Sequence, residues 1–256
     1  YPIARWVLPH IKTRKKSIIF HITFGMGMCA LLYKTGLISA LIMLIIGYCI
    51  LDKNPYIVLL ISYSMNFLIQ VLQIYFPNHP RVCNLARMIF FKTVATSFNL
   101  YDGKKADSKD IKFTKRQKVC YLTKKPTFYE WLAYCFTPFG AVAPSFYEFR
   151  LFNLILDLGE KQRKISEESR LKALNCLKQS SLYFSIYFGF RHYFGFSFYK
   201  SDFFLSFNVF VRIFLVLFLG AIIYSRFFMQ WKAVDAGLFE AGFLDSGILE
   251  EEDFSS

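Results

Sequence analysis

Along the chain, long apolar runs alternate with short basic segments. The run Ser17–Tyr33 follows a basic arm carrying Lys12, Arg14, Lys15 and Lys16, and a second run, Thr35–Leu51, follows after Lys34 alone. Both sit at the short end of the roughly 17 to 25 residues that cross a bilayer, so they predict either a tight helical hairpin or one long interrupted helix. Tyr56–Phe76 has no charge and is bounded by Pro55 and Pro77, as expected of a helix that starts and stops at prolines. Val82–Tyr101 is less apolar. In a helix its Lys92, Thr96, Asn99 and Gly103 fall at i, i+4, i+7 and i+11, forming one polar stripe that should face protein. Two more Phe-rich runs, Ser181–Tyr199 and Phe203–Ser225, contain Arg191, His192 and Arg212.

The segment Pro126–Arg150 breaks this pattern by placing Glu130 and Glu148, together with Pro138 and Pro144, inside an otherwise apolar stretch. Proline removes a backbone donor and interrupts a helix, and a carboxylate at membrane depth faces protein or a water-filled cavity. The segment therefore reads as a bent or re-entrant hairpin lining an interior, with both glutamates turned away from lipid.

Composition supports a membrane chain. Hydrophobic residues make up 55% and aromatic residues 20%, with 31 Phe, which is more apolar surface than a water-soluble globule of 256 residues could hide. The net charge of +13 raises the possibility of nucleic acid. The Lys and Arg residues nevertheless fall in blocks between apolar runs and not along one face, which matches the positive-inside rule and argues against a nucleic-acid partner. Lys104–Lys125 holds nine basic and two acidic residues, and Gly159–Lys178 holds six basic and three acidic ones. Both read as cytosolic loops, the second with either an amphipathic surface helix around Leu171, Leu174 and Leu177 or an ordinary solvated helix. Residues 233–256 form an acidic tail. The fold expected is all-α: one polytopic transmembrane domain over residues 1–256, with about six to eight membrane segments including the hairpin.

Six cysteines show no C-x-x-C pair and no metal-ligand spacing, so no metal site is expected. Phosphate-loop, serine-hydrolase and zinc-protease motifs are absent. His10 and His79 read as surface side chains, whereas His21 and His192 lie in apolar runs, where an ionisable group is a functional candidate.

Two elements resemble the membrane-bound O-acyltransferase (MBOAT) family. PTFYEWLAYCFTPFGAVAPSFYEFR is similar to its P-x-x-x-E-Y-x-x-Y-x-F-x-P and G-P-x-F/Y-x-Y/F pattern at Pro126, Glu130, Tyr134, Phe136, Pro138, Pro144, Phe146 and Phe149, with Trp131 and Ala143 departing from it. FKTVATSFNLYDG resembles K-L-T-S-x-A-F-N-x-x-D-G of the lysophospholipid acyltransferase branch at Lys92, Thr93, Phe98, Asn99, Asp102 and Gly103. A looser third element, Trp231–Phe243, resembles the W-K segment that follows. The resemblance covers roughly residues 82–243.

The resemblance implies an endoplasmic-reticulum enzyme that transfers an acyl group from acyl-CoA to a lysophospholipid hydroxyl. It implies no cofactor, and its partners are acyl-CoA, the lysophospholipid and membrane lipids. Substrate-tunnel candidates are Lys92, Thr96, Asn99, Asp102, Glu130, Tyr134 and Glu148. The family's catalytic Asn and His would lie beyond Ser256, so the catalytic residue is unknown, and His192 stands in the wrong order for that role. The first residue is Tyr1, and the expectation is a fragment that is inactive alone. Two alternatives are a non-catalytic truncated membrane protein and a transporter or channel subunit. The latter would call for internal repeats, which are not visible.

Overall fold

A computed structural model describes residues 3–34, 36–75, 83–106, 113–138, 147–158, 167–191, 193 and 196–240. The tip of the hairpin with Pro144, the loop residues 107–112 and 159–166, His79, His192 and most of the acidic tail therefore lie outside the described residues. Among the described residues the secondary structure is helical throughout, without a strand. A π turn, Ile3–Val7, and a 3₁₀ turn, Leu8–His10, lead into α1 (Arg14–Tyr33), α2 (Gly36–Ile50), α3 (Pro55–Tyr75) and α4 (Cys83–Lys105). Next come α5 (Lys115–Cys120), α6 (Phe128–Phe136) and α7 (Phe149–Leu158). The long α8 (Glu167–Arg191) and α11 (Val209–Glu240) are joined through α9 (Phe196–Tyr199) and α10 (Asp202–Ser206).

The first two apolar runs form two separate helices, with a break at Lys34, whose φ of 49° lies in the left-handed region. Helix α1 starts at Thr13, whose hydroxyl accepts from the Lys16 amide, and it buries Ser17, His21, Gly25 and Cys29. These lie four apart, so they form one narrow stripe of mostly small side chains that admits a neighbouring backbone closely. That neighbour is α6. A Cβ placed on Gly25 would lie 1.6 Å from the Phe136 carbonyl oxygen, whereas one on Gly27 would meet nothing within 4 Å.

Charged side chains gather at one end of the helices. Arg14 at the start of α1 contacts Glu130 at the start of α6 and both Asn153 and Asp157 near the end of α7. Lys125 pairs with Asp52 in the α2–α3 turn at 3.5 Å, and Lys104 donates to the Asp52 carbonyl at 3.1 Å. The outer surface of the helices is apolar instead: on α3, Tyr56, Leu60, Tyr63 and Phe67 form an exposed helical stripe, and on α11 Phe210 is 83% exposed. This is the reverse of a water-soluble pattern. By length and composition two helices, α1 and α11, suffice to cross a membrane, while α2 and the Pro55–Val71 part of α3 are apolar but shorter.

Where the sequence leaves open a separate surface helix around Leu171, Leu174 and Leu177, the structure has one continuous 25-residue helix, α8. Its buried stripe is Ser169, Ala173, Cys176, Ser180 and Tyr187, with Leu171 and Leu174 exposed. The stripe packs along α11, where the Ser180 hydroxyl donates to the Met229 carbonyl at 2.8 Å. A helix so held against its partner over both its polar and its apolar half cannot lie flat as a separate element. The basic segment Lys104–Lys125 likewise contains a short docked helix, α5, started by a capping box between Thr114 and Gln117.

Gly25→Ala should force α1 and α6 apart and destabilise the protein by about 1–3 kcal/mol, the usual cost of overpacking. Gly27→Ala should be neutral or slightly stabilising. Thermal unfolding of the two variants in detergent checks this, and equal midpoints would show that the α1–α6 approach carries no stability.

Candidate functional site

Residues of the α4 motif divide the work of assembling the interior. Lys92 is wholly buried. Its ammonium donates to the Tyr134 carbonyl at 2.6 Å and lies 4.4 Å from the Tyr134 ring centre and 5.2 Å from that of Tyr147. Helix α6 ends at Phe136, so the Tyr134 carbonyl is one of the last four that an α-helix leaves without an internal partner. The Lys92 charge thus meets the negative end of the α6 dipole. A charge-assisted hydrogen bond contributes about 1.5–3 kcal/mol and each cation–π contact about 0.5–2 kcal/mol, while removing an ammonium from water costs several kcal/mol. These terms nearly cancel. Lys92 accordingly fixes where α6 ends and adds little net stability.

The neighbouring motif positions each meet a different element. The Thr93 hydroxyl donates to the Ile89 carbonyl of its own helix at 2.7 Å, and Gly47 of α2 packs so closely on it that a Cβ there would lie 2.7 Å from that oxygen. Phe98 packs edge-on against Tyr56 at 5.7 Å. Thr96 is fully buried beside them on the same helix. The Asn99 amide donates to Glu148 Oε2 at 2.7 Å, and Arg116 reaches Glu148 Oε1 at 3.0 Å. Asp102 accepts from Gln117 at 3.2 Å. Helix α4 runs on through Gly103 to Lys105, so this glycine is not a turn at a helix end. It is there because a Cβ would lie 1.9 Å from the Leu122 carbonyl oxygen, where the Leu122 amide donates to the Asn99 carbonyl at 2.9 Å.

The two glutamates have different surroundings. Glu148 is 8% exposed and joins Asn99 and Arg116. Glu130 stands at the charged end, as the third residue of a capping box with Thr127 and as a partner of Arg14. The candidates thus fall into a deep group, Lys92 with Tyr134, a middle group, Asn99 with Glu148, and two residues, Asp102 and Glu130, nearer the rim. Within the deep group the Tyr134 hydroxyl donates to the Tyr147 carbonyl at 2.5 Å, and its ring packs against Phe149 and Phe152. Trp131, which replaces the tyrosine of the resemblance, is fully buried and its indole N–H donates to the Leu44 carbonyl at 3.3 Å. Its partner explains why an aromatic side chain with a ring donor fits there.

Sequence reasoning did not single out Arg14, Arg116 or Arg150. Arg150 donates to the Tyr121 carbonyl at 3.1 Å and lies over that ring, tying α7 to the end of the basic segment. The pattern T-x-x-E at Thr127–Glu130 and T-x-x-Q at Thr114–Gln117 was a readable helix-start signal for two of these elements. No local pattern marks Arg14 as the residue that gathers α6 and α7. Groups of His, Cys, Asp or Glu able to hold a metal ion are not found among the described residues.

No family model matches the chain. It is similar to the Danio rerio membrane-bound acylglycerophosphatidylinositol O-acyltransferase, at 22% identity over 167 residues, covering 65% of this chain and 34% of that protein. The chain spans about a third of the length of that relative. This distant likeness supports a relationship to membrane-bound acyltransferases, and with the two apolar helices it points to a membrane protein.

Two outcomes follow from the Glu148 group. Replacing Asn99 with leucine leaves the buried carboxylate with Arg116 as its described partner, and should cost about 1.5–3 kcal/mol, read as a lowered unfolding midpoint; an unchanged midpoint would show that the pair is dispensable. Cys120, at the end of α5, is 4% exposed. Burial, aided by the Glu148 charge, pushes its thiol up to about 11. In a variant that keeps Cys120 and no other cysteine, maleimide should therefore react slowly at neutral pH. Arg116→Ala takes away a cation that favours the thiolate, so faster labelling of this variant would come from a loosened α5, and equal or slower labelling would mean that this contact does not hold the helix down.

Proposed function

We propose that this chain is part of a multi-pass membrane O-acyltransferase that moves an acyl group from acyl-CoA to the hydroxyl of a lysophospholipid in the endoplasmic-reticulum membrane. The observation that carries this reading is the pair α6 and α7, which leaves the charged end and returns to it. Nine residues of α6 at 1.5 Å each span about 13 Å, less than half of a hydrocarbon core of about 30 Å. Its carbonyl end reaches Gly25, eleven positions into the 20-residue α1, and so sits near mid-depth. Irregular backbone at such a depth is tolerated only where protein or a lined cavity satisfies it. Here Lys92 supplies the cation, and the lysophospholipid-acyltransferase-like positions of α4 line the same wall.

The charged end is the cytosolic side in this reading, because it gathers Arg14, Lys104, Lys125 and their neighbours. Helices α1 to α4 then provide four crossings, α6 and α7 the re-entrant hairpin, and α8 with α11 the last two. The reaction joins the acceptor oxygen to the acyl carbon and breaks the thioester C–S bond. The acceptor's proton passes to a base, and coenzyme A leaves as the thiol. Such a base typically contributes about 10² to 10⁴ in rate. Glu148, Asn99 and Lys92 are wall and positioning groups here.

The test is to express the full product of the gene in microsomes and to offer labelled acyl-CoA with a panel of lysophospholipids. Label in a diacyl phospholipid is expected, with a loss of at least tenfold for Asn99→Leu at equal protein. No transfer to any acceptor would overturn the reading. Transfer that vanished on His192→Ala would make His192 the base.

A further inference from the structure

At the charged end, beside the start of α1, the turns Ile3–Val7 and Leu8–His10 pack on α11 and line, together with α1, a groove of about 420 Å³. Trp6, Ile11, Ile19 and Phe20 form its walls, and His10 and Lys16 stand on its rim. The turns are fixed in place: Leu8 is fully buried, the Ile11 amide donates to the Leu8 carbonyl at 3.0 Å, and Arg5 lies 3.8 Å from the buried carboxylate of Glu240 on α11. The walls are nonetheless open, with Trp6 65% and Ile19 50% exposed.

Charge at this place is unbalanced. The first turn of α1 has Arg14, Lys15 and Lys16 and no acidic residue, although the positive end of a helix dipole favours anions. Arg14 is neutralised by Glu130 and Asp157. Lys12, Lys15 and Lys16 are exposed, and among the described residues none of them is in ion-pair contact with a carboxylate. An apolar cleft of this volume falls in the range of ligand sites, and a cationic rim selects the charge of what enters.

We propose that this groove binds one anionic phospholipid of the cytosolic leaflet, with an acyl chain along Trp6, Ile19 and Phe20 and the phosphate at Lys16 and His10. The occupant follows from complementarity. An apolar tail matches the walls and a phosphate matches the rim, whereas a free phosphate would leave the walls in water. A second copy of this face would set lysines against lysines. The cytosolic leaflet is anionic and attracts such clusters, at about fivefold in affinity per cation. Trp6 sits where indole side chains anchor to headgroups. The proposal rests on the membrane reading given above, though not on acyl transfer.

The experiment uses the whole chain in nanodiscs of phosphatidylcholine with and without phosphatidylserine, exchanged into detergent and weighed intact by native mass spectrometry. Wild type should retain phosphatidylserine selectively. Lys15→Gln with Lys16→Gln should reduce that selectivity about thirtyfold, taking the two cations together. Trp6→Ala should weaken retention of the lipid without removing its charge preference. Lys53→Gln, an exposed lysine at the same end, should change nothing, and unfolding midpoints confirm that each variant is folded. Equal retention of phosphatidylcholine, or no effect of the lysine pair, or an equal effect of Lys53→Gln, would overturn the proposal. Carbonate washing of microsomes separates the two ideas. A chain that stays with the membrane yet holds no anionic lipid sinks the groove site alone, while a chain that is washed off sinks the membrane reading and the site with it.

Discussion

A helix that stops inside a protein must hand its last carbonyls to something, and in this chain most of the interior is arranged around that need. Helix α6 is too short to leave the bundle at its far side. Its terminal carbonyls are met by the ammonium of Lys92 on α4 and by the bare backbone of α1 at Gly25. The aromatic rings of Tyr134 and Tyr147 complete the enclosure of the cation. Since desolvation of the ammonium offsets much of what these contacts contribute, the gain is in geometry: the cation admits one depth for the end of α6.

The rim of the same structure works by a different balance. Arg14 is half-buried and meets two carboxylates and an amide from elements more than a hundred residues away in sequence. It joins the two arms at the charged end, as Lys92 meets Tyr134 and Tyr147 at their inner ends. Between the two, Asn99 and Arg116 share the Glu148 carboxylate, which links the depth of the hairpin to the docking of α5. The basic segment Lys104–Lys125 is thus more than solvated charge, because its helix is fastened through Gln117, Leu122 and Tyr121 to α4 and α7.

How much of this was legible depends on the range of the contact. The polar stripe on α4 could be read from spacing, since helical periodicity alone brings Lys92, Thr96, Asn99 and Gly103 to one side, and all four are buried. That Lys92 would serve the end of another helix could not be read, because the partner is a backbone carbonyl and any residue can present one. Gly103 shows the limit of spacing: periodicity puts it on the buried side, but its close approach to Leu122 is not visible there, because a missing side chain looks the same in sequence whatever its cause. Arg14 was hidden among basic neighbours. A reading based on charge counts treats the residues of a cluster alike, while the structure gives Arg14 two carboxylates and leaves Lys15 and Lys16 facing outward.

The stripe that α1 turns toward α6 also sets an order of events during synthesis. Gly25 meets its neighbour only once residues 128–136 exist, His21 meets the Phe152 ring later still, and Arg14 waits 116 residues for Glu130. At about 5–20 residues per second, that interval is roughly 6 to 23 s. For that long, a helix with an arginine at its head and a histidine in its middle must be kept by something other than its final partner. The nascent chain therefore passes through a state in which α1 exists without α6, and a chaperone that shelters a helix with an unfilled stripe has its opportunity there.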